Sequence, residues 1–253
     1  MLVALTRAVP PTLAECQLTH VDRQPIDVVL ASAQHGAYER LLEELGCTVR
    51  RLTSTPELPD SVFVEDTAIV LDECAVIARP GAASRRAETE SVAEVLSGYR
   101  EVEAVAAPAT LDGGDVLRID RTLYVGLSTR TNAEGARQLA GKLAPYGYRV
   151  ETVVARDCLH LKSAVSSLGD GRLLLDRQSV DPEAFGLSYL EVDRVERFAA
   201  NVLSVAGTVI VPATAPRTRE RLGREGYTVR TLNVSELAKA EAGLTCCSLI
   251  FDA

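Results

Sequence analysis

The segment Asp115-Val-Leu-Arg-Ile-Asp-Arg-Thr-Leu-Tyr-Val125 decides the fold class of this chain. Two short apolar-rich runs flank the turn residues Asp120-Arg121, so residues 115–119 and 122–125 are predicted to form a β-hairpin. Residues 131–143 follow with the spacing of a helix, and residues 149–154 predict a further strand. We therefore interpret 115–154 as one hairpin–helix–strand unit.

This unit recurs along the chain at intervals of roughly 37–49 residues, a length typical of repeated architectures. Of the other four copies, the third has a poor helix and the fifth is split between the two ends of the sequence. Their predicted segments are 67–69, 75–78, 84–96 and 102–105; 164–167 and 172–175; 201–205, 208–211, 217–224 and 228–232; and 246–251, 1–6, 26–45 and 48–52.

The split copy favours a closed ring, because incomplete ends would complete one another and no sheet edge would stay open. An ordinary open α/β sheet is the alternative, since alternating strands and helices fit it too. A length of 253 residues suits one large domain, and we expect a single domain over 1–253.

Composition excludes several classes of partner. The net charge of −8 argues against nucleic acid and anionic membranes, which bind basic patches. The most apolar stretch, 202–215, is interrupted and is shorter than the roughly 20 residues of a bilayer span. No secretory signal is expected at the N-terminus. Six scattered cysteines without a Cys-x-x-Cys pair indicate reduced thiols in a cytoplasm, not disulfides or a zinc knuckle.

Two residue types suggest nucleophilic chemistry. Gly243 before a predicted strand favours a turn that exposes Cys246 at the strand start, with Cys246 and Cys247 on opposite faces. Free cysteines are commonly buried as small apolar residues, which is the alternative. His160 lies in a compact apolar motif, and its reference pKa near 6.5 suits a general acid/base. A histidine satisfied in the core or at the surface is its alternative.

Acidic residues occupy two further motifs. Asp112 and Asp115 bracket two glycines, which predicts either a tight turn or a backbone that approaches a ligand while a carboxylate faces it. Asp60, Glu65 and Asp66 surround an apolar run. If that loop enters the core, its carboxylates need a cationic partner or a raised pKa. A solvated acidic loop is the other interpretation.

Arg85 and Arg130 occupy matching positions at the start of two repeat helices. They either solvate the helix ends or grip a ligand carboxylate, for which a planar guanidinium is well suited.

Taken together, these motifs resemble the dimethylarginine dimethylaminohydrolase family, part of a guanidine-modifying superfamily with a five-bladed α/β-propeller fold (the pentein fold). The resemblance runs from Arg7 to Phe251. It rests on the joint order and spacing of segments 63–66, 79–81, 111–115, 130–132, 159–163, 199–201 and 245–248.

The resemblance implies site roles. Cys246 matches the nucleophile, His160 the general acid/base and Asp112 the acid that supports the histidine. The substrate-binding positions are Asp60, Glu65 and Asp66 for the guanidinium, Arg85 and Arg130 for the carboxylate, and Leu18 in a mobile loop. Ala240 and Glu241 stand where the family carries a branched aliphatic residue and an aspartate that hold the α-ammonium. Glu241 keeps the charge but adds a methylene group.

The implied activity is hydrolysis of Nω-methylated arginines to citrulline and a methylamine, without cofactor or metal. The expected partner is a small cationic amino acid, and a homodimer is left open. An arginine or agmatine deiminase is the rival enzyme, but deiminases typically carry Arg-Asp at Glu65-Asp66 and His-x-Asp at the position of His160-Leu161-Lys162. A non-catalytic propeller that only binds ligands is a third interpretation.

Overall fold

The computed structural model describes residues 1–253 and contains fifteen strands in five three-stranded sheets. In every sheet the first strand pairs antiparallel with the second, which pairs parallel with the third. The strands are β1 (Leu2–Arg7), β2 (Thr48–Leu52), β3 (Ala68–Val70), β4 (Cys74–Ile77), β5 (Glu101–Ala104), β6 (Val116–Ile119), β7 (Thr122–Leu127), β8 (Arg149–Val154), β9 (Val165–Ser167), β10 (Leu173–Leu175), β11 (Tyr189–Glu191), β12 (Leu203–Val205), β13 (Thr208–Pro212), β14 (Thr228–Leu232) and β15 (Leu249–Asp252).

The five sheets close into a ring. The split sheet joins the two ends of the chain, with β15 antiparallel to β1 and β1 parallel to β2. The first strands of all five sheets, β3, β6, β9, β12 and β15, line one central cavity of about 360 Å³. The predicted five-bladed propeller is therefore confirmed, and the open sheet is wrong.

The core is divided among the gaps between neighbouring sheets. Five apolar clusters fill these gaps, one to each gap. One cluster, for example, contains Val76 from one sheet and Val125 from the next, with Leu139 from a helix on the outside. The second strands, such as β4 and β13, are thus covered on both faces and are buried along their length. The third strands, such as β2 and β14, lie on the outside of the ring and are largely exposed.

Six helices connect the strands: α1 (Val28–Glu44), α2 (Thr89–Leu96), α3 (Ala133–Leu143), α4 (Leu161–Ala164), α5 (Pro216–Arg224) and α6 (Ser235–Ala238). Asp27 caps α1 by accepting from the Leu30 amide, and Asn132 caps α3 by accepting from Gly135. None of these helices combines the length and apolar character that a bilayer span requires. The poor helix of the third repeat is a single 3-10 turn, Pro182–Ala184, and the three-residue strand after it was not predicted.

Two predicted boundaries differ from the structure. The helix predicted over 84–96 begins as a 3-10 turn, Ala83–Glu88, because buried Arg85 bonds Glu88 three residues on, a spacing that this tighter helix aligns. The strand predicted over 246–251 begins only at Leu249. Cys246 and Cys247 lie in the turn before it, so the strand alternation proposed for them is wrong.

Candidate active site

Five turns meet at one end of the central cavity, each lying just before the first strand of a sheet. The turns at Val64–Thr67, Gly113–Asp115, Leu161–Ala164 and Arg197–Ala200 contact one another in part, and residues 245–248 form the fifth. The ring symmetry explains how residues far apart in sequence converge. Most of the predicted site residues lie in or next to these turns.

Cys246 is half-buried, whereas Cys247 is buried in the core. The Gly243 amide donates to Sγ of Cys246 at 3.3 Å, and the Glu65 amide donates to its carbonyl oxygen at 3.1 Å. Burial and the nearby charges of Glu65 and Asp66 raise the pKa of the Cys246 thiol well above its usual range. Without a ligand this sulfur is therefore a thiol at neutral pH.

His160 immediately precedes α4 and is 5% exposed. Its Nε2 lies 3.1 Å from Oδ2 of Asp112, and its Nδ1 lies 3.6 Å from Oδ1 of Asp66. Burial disfavours the imidazolium, but Asp66, the hydrogen bond with Asp112 and the charge of Asp115 outweigh it and raise the pKa to about 9. His160 is thus a proton donor at neutral pH. The same carboxylate of Asp66 also raises the pKa of the Cys246 thiol, so one acid acts on both groups.

Asp112 is fully buried and divides its two oxygens between partners. Oδ2 faces His160, and Oδ1 accepts from the Gly81 amide at 2.8 Å. The following Gly113 and Gly114 allow close approach to the protein itself. A Cβ on Gly113 would lie 2.0 Å from the Glu65 carbonyl oxygen, and one on Gly114 would lie 2.6 Å from Nδ1 of His160. Gly113 therefore packs on the backbone at Glu65 and Gly114 packs on the imidazole, so both glycines approach the protein itself and not a ligand as predicted.

Arg85 does not lie free above a ligand pocket. Its guanidinium is 5% exposed and donates to Asp66 at 2.6 Å, to Glu88, and to the carbonyl oxygens of Asp60 and Phe63. Burial by itself raises the pKa of Asp66, but the positive charges of His160 and Arg85 lower it below the usual range. Arg85 therefore orients Asp66. Binding of a ligand carboxylate by Arg85 stays a prediction, and the guanidinium would have to share its N–H donors between these protein acceptors and the ligand.

Glu65 is held by two residues for which no binding role was predicted. Its Oε1 pairs with Nζ of Lys162 at 2.5 Å, and its Oε2 accepts from the Thr245 hydroxyl at 2.7 Å. Lys162 and Thr245 both lie in the turns that precede first strands. That shared position in the repeat is the signal that could have marked them.

The loop 16–23 contacts three predicted substrate-binding residues. Asp60 accepts from the Gln17 amide at 3.1 Å, and Arg130 donates to the Thr19 hydroxyl at 3.3 Å. The Glu241 carboxylate accepts from the amides of Thr19 and His20 at 2.5 and 2.6 Å. The structure thus brings these side chains to the loop that carries Leu18.

The remaining predicted positions have distinct environments. Leu18 is half-buried and packs on the largest apolar cluster, and Ala240 is buried in that cluster. Arg130 forms no ion pair, which leaves its guanidinium available to an anion. Glu241 has a φ of 58°, in the left-handed region that few non-glycine residues adopt. Burial raises the pKa of Asp60, although Arg85 and the Gln17 amide oppose it.

One group in the site has the ligand types of a metal centre. Asp66, Asp112 and His160 offer three ligand atoms within 4.8 Å of one another. A metal requires the neutral imidazole, and the raised pKa of His160 places a proton there instead. A divalent cation would have to displace that proton and compete with Arg85 for Asp66.

Comparisons with known proteins agree with this geometry. The sequence profile of a family described as "N,N dimethylarginine dimethylhydrolase, eukaryotic" matches residues 19–180. The N(G),N(G)-dimethylarginine dimethylaminohydrolase of Pseudomonas aeruginosa is 40% identical over 89% of this chain and 90% of its own. The enzyme of that name from Streptomyces coelicolor is 40% identical over 97% of this chain and 95% of its own.

A solved structure of the Pseudomonas aeruginosa enzyme, a cysteine-to-serine mutant complexed with citrulline, superposes with a TM-score of 0.94 at 37% identity and covers 98% of both chains. A dimethylarginine dimethylaminohydrolase structure that holds an adduct with S-methyl-L-thiocitrulline has a TM-score of 0.93 at 36% identity and covers 99% of this chain and all of its own. On identity, coverage and fold, this chain belongs to the dimethylarginine dimethylaminohydrolase family.

Proposed function

We propose that residues 1–253 form one catalytic domain that hydrolyses Nω-methylated arginines to citrulline and dimethylamine or methylamine. The observation that carries the proposal is the acid shared by the two reacting groups. His160 lies 3.1 Å from Asp112 and 3.6 Å from Asp66, and the charge of Asp66 also acts on the Cys246 thiol. A nucleophile, a proton donor and acids that bind a guanidinium are the groups this reaction needs.

The first step forms a covalent intermediate. The positive charge of a bound guanidinium lowers the pKa of the Cys246 thiol, which loses its proton to solvent. The thiolate then adds to the central guanidinium carbon and forms a carbon–sulfur bond. His160 gives its proton to the substituted nitrogen, because an amine leaves far more readily than its anion. Loss of dimethylamine or methylamine leaves a thiouronium on Cys246.

The second step restores the free enzyme. The neutral His160 takes a proton from water, and the resulting hydroxide adds to the thiouronium carbon. The carbon–sulfur bond breaks and its electron pair returns to Cys246, the hydroxyl proton of the adduct passes to that sulfur, and neutral citrulline leaves. His160 is protonated again, so the cycle closes. Such acid–base assistance typically contributes about 10²–10⁴-fold to the rate.

The preference for a methylated substrate rests on the surroundings of Lys162. Deiminases that resemble this chain carry an aspartate at that position, which would accept from unsubstituted guanidinium nitrogens. Here the side chain is a cation, and it pairs with Glu65 at 2.5 Å. The site therefore has one acceptor fewer for a nitrogen that bears methyl groups and cannot donate.

The deciding experiment is a citrulline assay with asymmetric dimethylarginine, monomethylarginine, arginine and agmatine measured side by side, with the released amine identified. We expect citrulline together with dimethylamine or methylamine from the methylated substrates. Ammonia from arginine or agmatine at comparable kcat/KM would assign a deiminase instead. No turnover of any of the four would favour a propeller that only binds ligands.

The nucleophile has a matched control in the next residue. Cys246→Ser should keep the fold and abolish citrulline formation, whereas Cys247→Ala removes a thiol that is 2% exposed in the core and should leave turnover within about twofold. Near-normal turnover by Cys246→Ser would eliminate the covalent step. Alkylation should label Cys246 selectively, and methylarginine should protect it.

A further inference from the structure

Asn201 joins the two chain segments that carry the proposed nucleophile and acid/base. It follows the turn Arg197–Ala200, before β12, and is 4% exposed. Its Oδ1 accepts from the Thr245 amide at 3.0 Å, next to Cys246. Its Nδ2 donates to the Thr245 hydroxyl at 3.0 Å and to the Lys162 carbonyl oxygen at 2.8 Å, two residues after His160. Every hydrogen-bonding direction of the Nδ2 group is thereby used within the site.

These contacts close a ring of four residues. Asn201 donates to Thr245, the Thr245 hydroxyl donates to Glu65, Glu65 pairs with Lys162, and the Lys162 carbonyl oxygen returns to Asn201. A hydroxyl that receives one hydrogen bond and gives another has its proton direction fixed. Since all four residues are buried or half-buried, the ring is a rigid connection and not a surface network.

The same side chain sets the path of the backbone that touches the sulfur. A Cβ on Gly243 would lie 2.3 Å from both Cγ and Oδ1 of Asn201. Gly243 therefore packs directly on the face of the amide. Its own N–H is the group that donates to Sγ of Cys246 at 3.3 Å. A displacement of the amide would displace this donor.

We propose that Asn201 is a positioning residue that fixes the Cys246 sulfur relative to His160, an inference that rests on the proposed function. It touches neither the sulfur nor the imidazole. It acts through Thr245 and Gly243 on one side and through the backbone at Lys162 on the other. Misplacing reacting groups by about 1 Å can cost about 100-fold in rate.

The test is Asn201→Asp, which has nearly the same shape. It keeps the oxygen that accepts from the Thr245 amide but loses both donors and adds a negative charge beside Glu65. We expect kcat for dimethylarginine to fall about 100-fold with KM changed less than about threefold. The rate of Cys246 alkylation by iodoacetamide, followed by peptide mapping, should reach its half-maximum at a higher pH than in the parent protein. Asn201→Ala should show the same loss of kcat without the added charge.

Two control variants separate positioning from general loss of stability. Asn233→Asp makes the same exchange at an exposed turn, where the side chain only accepts from the Ser235 amide, and should change neither readout. Ser166→Ala removes the hydroxyl that bonds the backbone at Ala200 and Val202, on both sides of Asn201. Ser166→Ala should lower the midpoint temperature of thermal unfolding but leave the pH dependence of Cys246 alkylation unchanged.

The outcomes are decisive in each direction. Asn201→Asp with kcat within threefold of the parent and an unchanged alkylation profile would overturn the inference. So would Ser166→Ala if it moved the profile as far as Asn201→Asp does. If the parent protein fails to turn over any methylarginine, the proposed function fails. The alkylation comparison still decides whether Asn201 positions the sulfur.

Discussion

Replacing Asp112 by asparagine should lower the pKa of His160 to near neutrality. The carboxylate lies 3.1 Å from Nε2 of a histidine whose pKa is raised to about 9. A carboxylate at such a distance raises the pKa of an imidazole by about 1–3 units, so its loss should lower the pKa of His160 from about 9 to roughly 7. An asparagine NH₂ directed at Nε2 would favour the neutral ring further.

The size of the effect on catalysis follows from the protonated fraction. At pH 8 that fraction falls from roughly nine in ten to roughly one in ten, so kcat should fall about tenfold from protonation alone. The basic limb of kcat against pH should move down by about 2 pH units, and at pH 6 the rates should converge. Loss of orientation would appear as a further decrease that does not depend on pH.

Two measurements test this reasoning. Only three histidines exist, at 20, 35 and 160, so an NMR titration of ¹⁵N-histidine-labelled protein can follow His160 directly. Asp120→Asn makes the same exchange in the exposed β6–β7 turn, where asparagine tolerates the φ of 51°, and should change nothing. A His160 resonance that still titrates near 9 in Asp112→Asn would refute the assigned role of Asp112.

Three further predictions concern Gly243, Glu241 and the buried His35 of α1. Gly243→Ala places a methyl 2.3 Å from Asn201 and should lower kcat about 100-fold, whereas Gly141→Ala meets no neighbour within 4 Å and should be neutral or stabilising in thermal unfolding. Glu241→Gln keeps only one carbonyl acceptor for the two amides of loop 16–23, so KM for dimethylarginine should rise about tenfold in steady-state assays. Burial lowers the pKa of His35 to about 4, so the unfolded chain binds the extra proton between pH 6.5 and 4 and stability is lost as pH falls through that window. Urea unfolding should show that the free energy of unfolding falls by about 3 kcal/mol across this pH range, and His35→Gln should abolish that fall. The same pH dependence in His35→Gln as in the parent would contradict the role given to His35.

The repeat was readable from the sequence because hairpins with short turns repeat a strong local signal. Strands β2, β8 and β14 have the predicted bounds, and the split sheet joins the ends as predicted. The strand at 189–191 was not predicted because only a single 3-10 turn, and no helical pattern, precedes it, and because its partner β10 pairs with it in parallel and not as a hairpin. The strand start at Cys246 was wrong because tertiary contacts, not local preference, hold that turn. Ser248 bonds Tyr38 from α1 at 2.6 Å, which no local pattern reveals.

The roles of the site residues stay predictions, and of the contacts between them only that of Asp112 with His160 was expected. Asp112 was assigned to His160 from the resemblance, and the structure brings the two together. Arg85 was expected to face a ligand, yet it is enclosed by protein acceptors. Whether a buried cation faces inward or outward depends on side-chain geometry at the meeting point of several turns. That geometry cannot be predicted from local sequence patterns.

Under the proposed function, the charges around Cys246 explain why its sulfur remains a thiol until a substrate binds. Three acids at this centre each have a cation in contact: Glu65 with Lys162, Asp66 with Arg85, and Asp112 with His160. Arg85 is also shared with Glu88, and buried Asp115 forms no ion pair, so the carboxylates outnumber the cations. An isolated thiolate would add a further negative charge to a desolvated site. A bound guanidinium supplies a positive charge that offsets it, so the thiolate becomes a counter-ion of the substrate alongside the acids. Selectivity for a cation and activation of the sulfur therefore have the same electrostatic cause. The urea group of citrulline is neutral and cannot supply the positive charge, so the product does not favour the Cys246 thiolate.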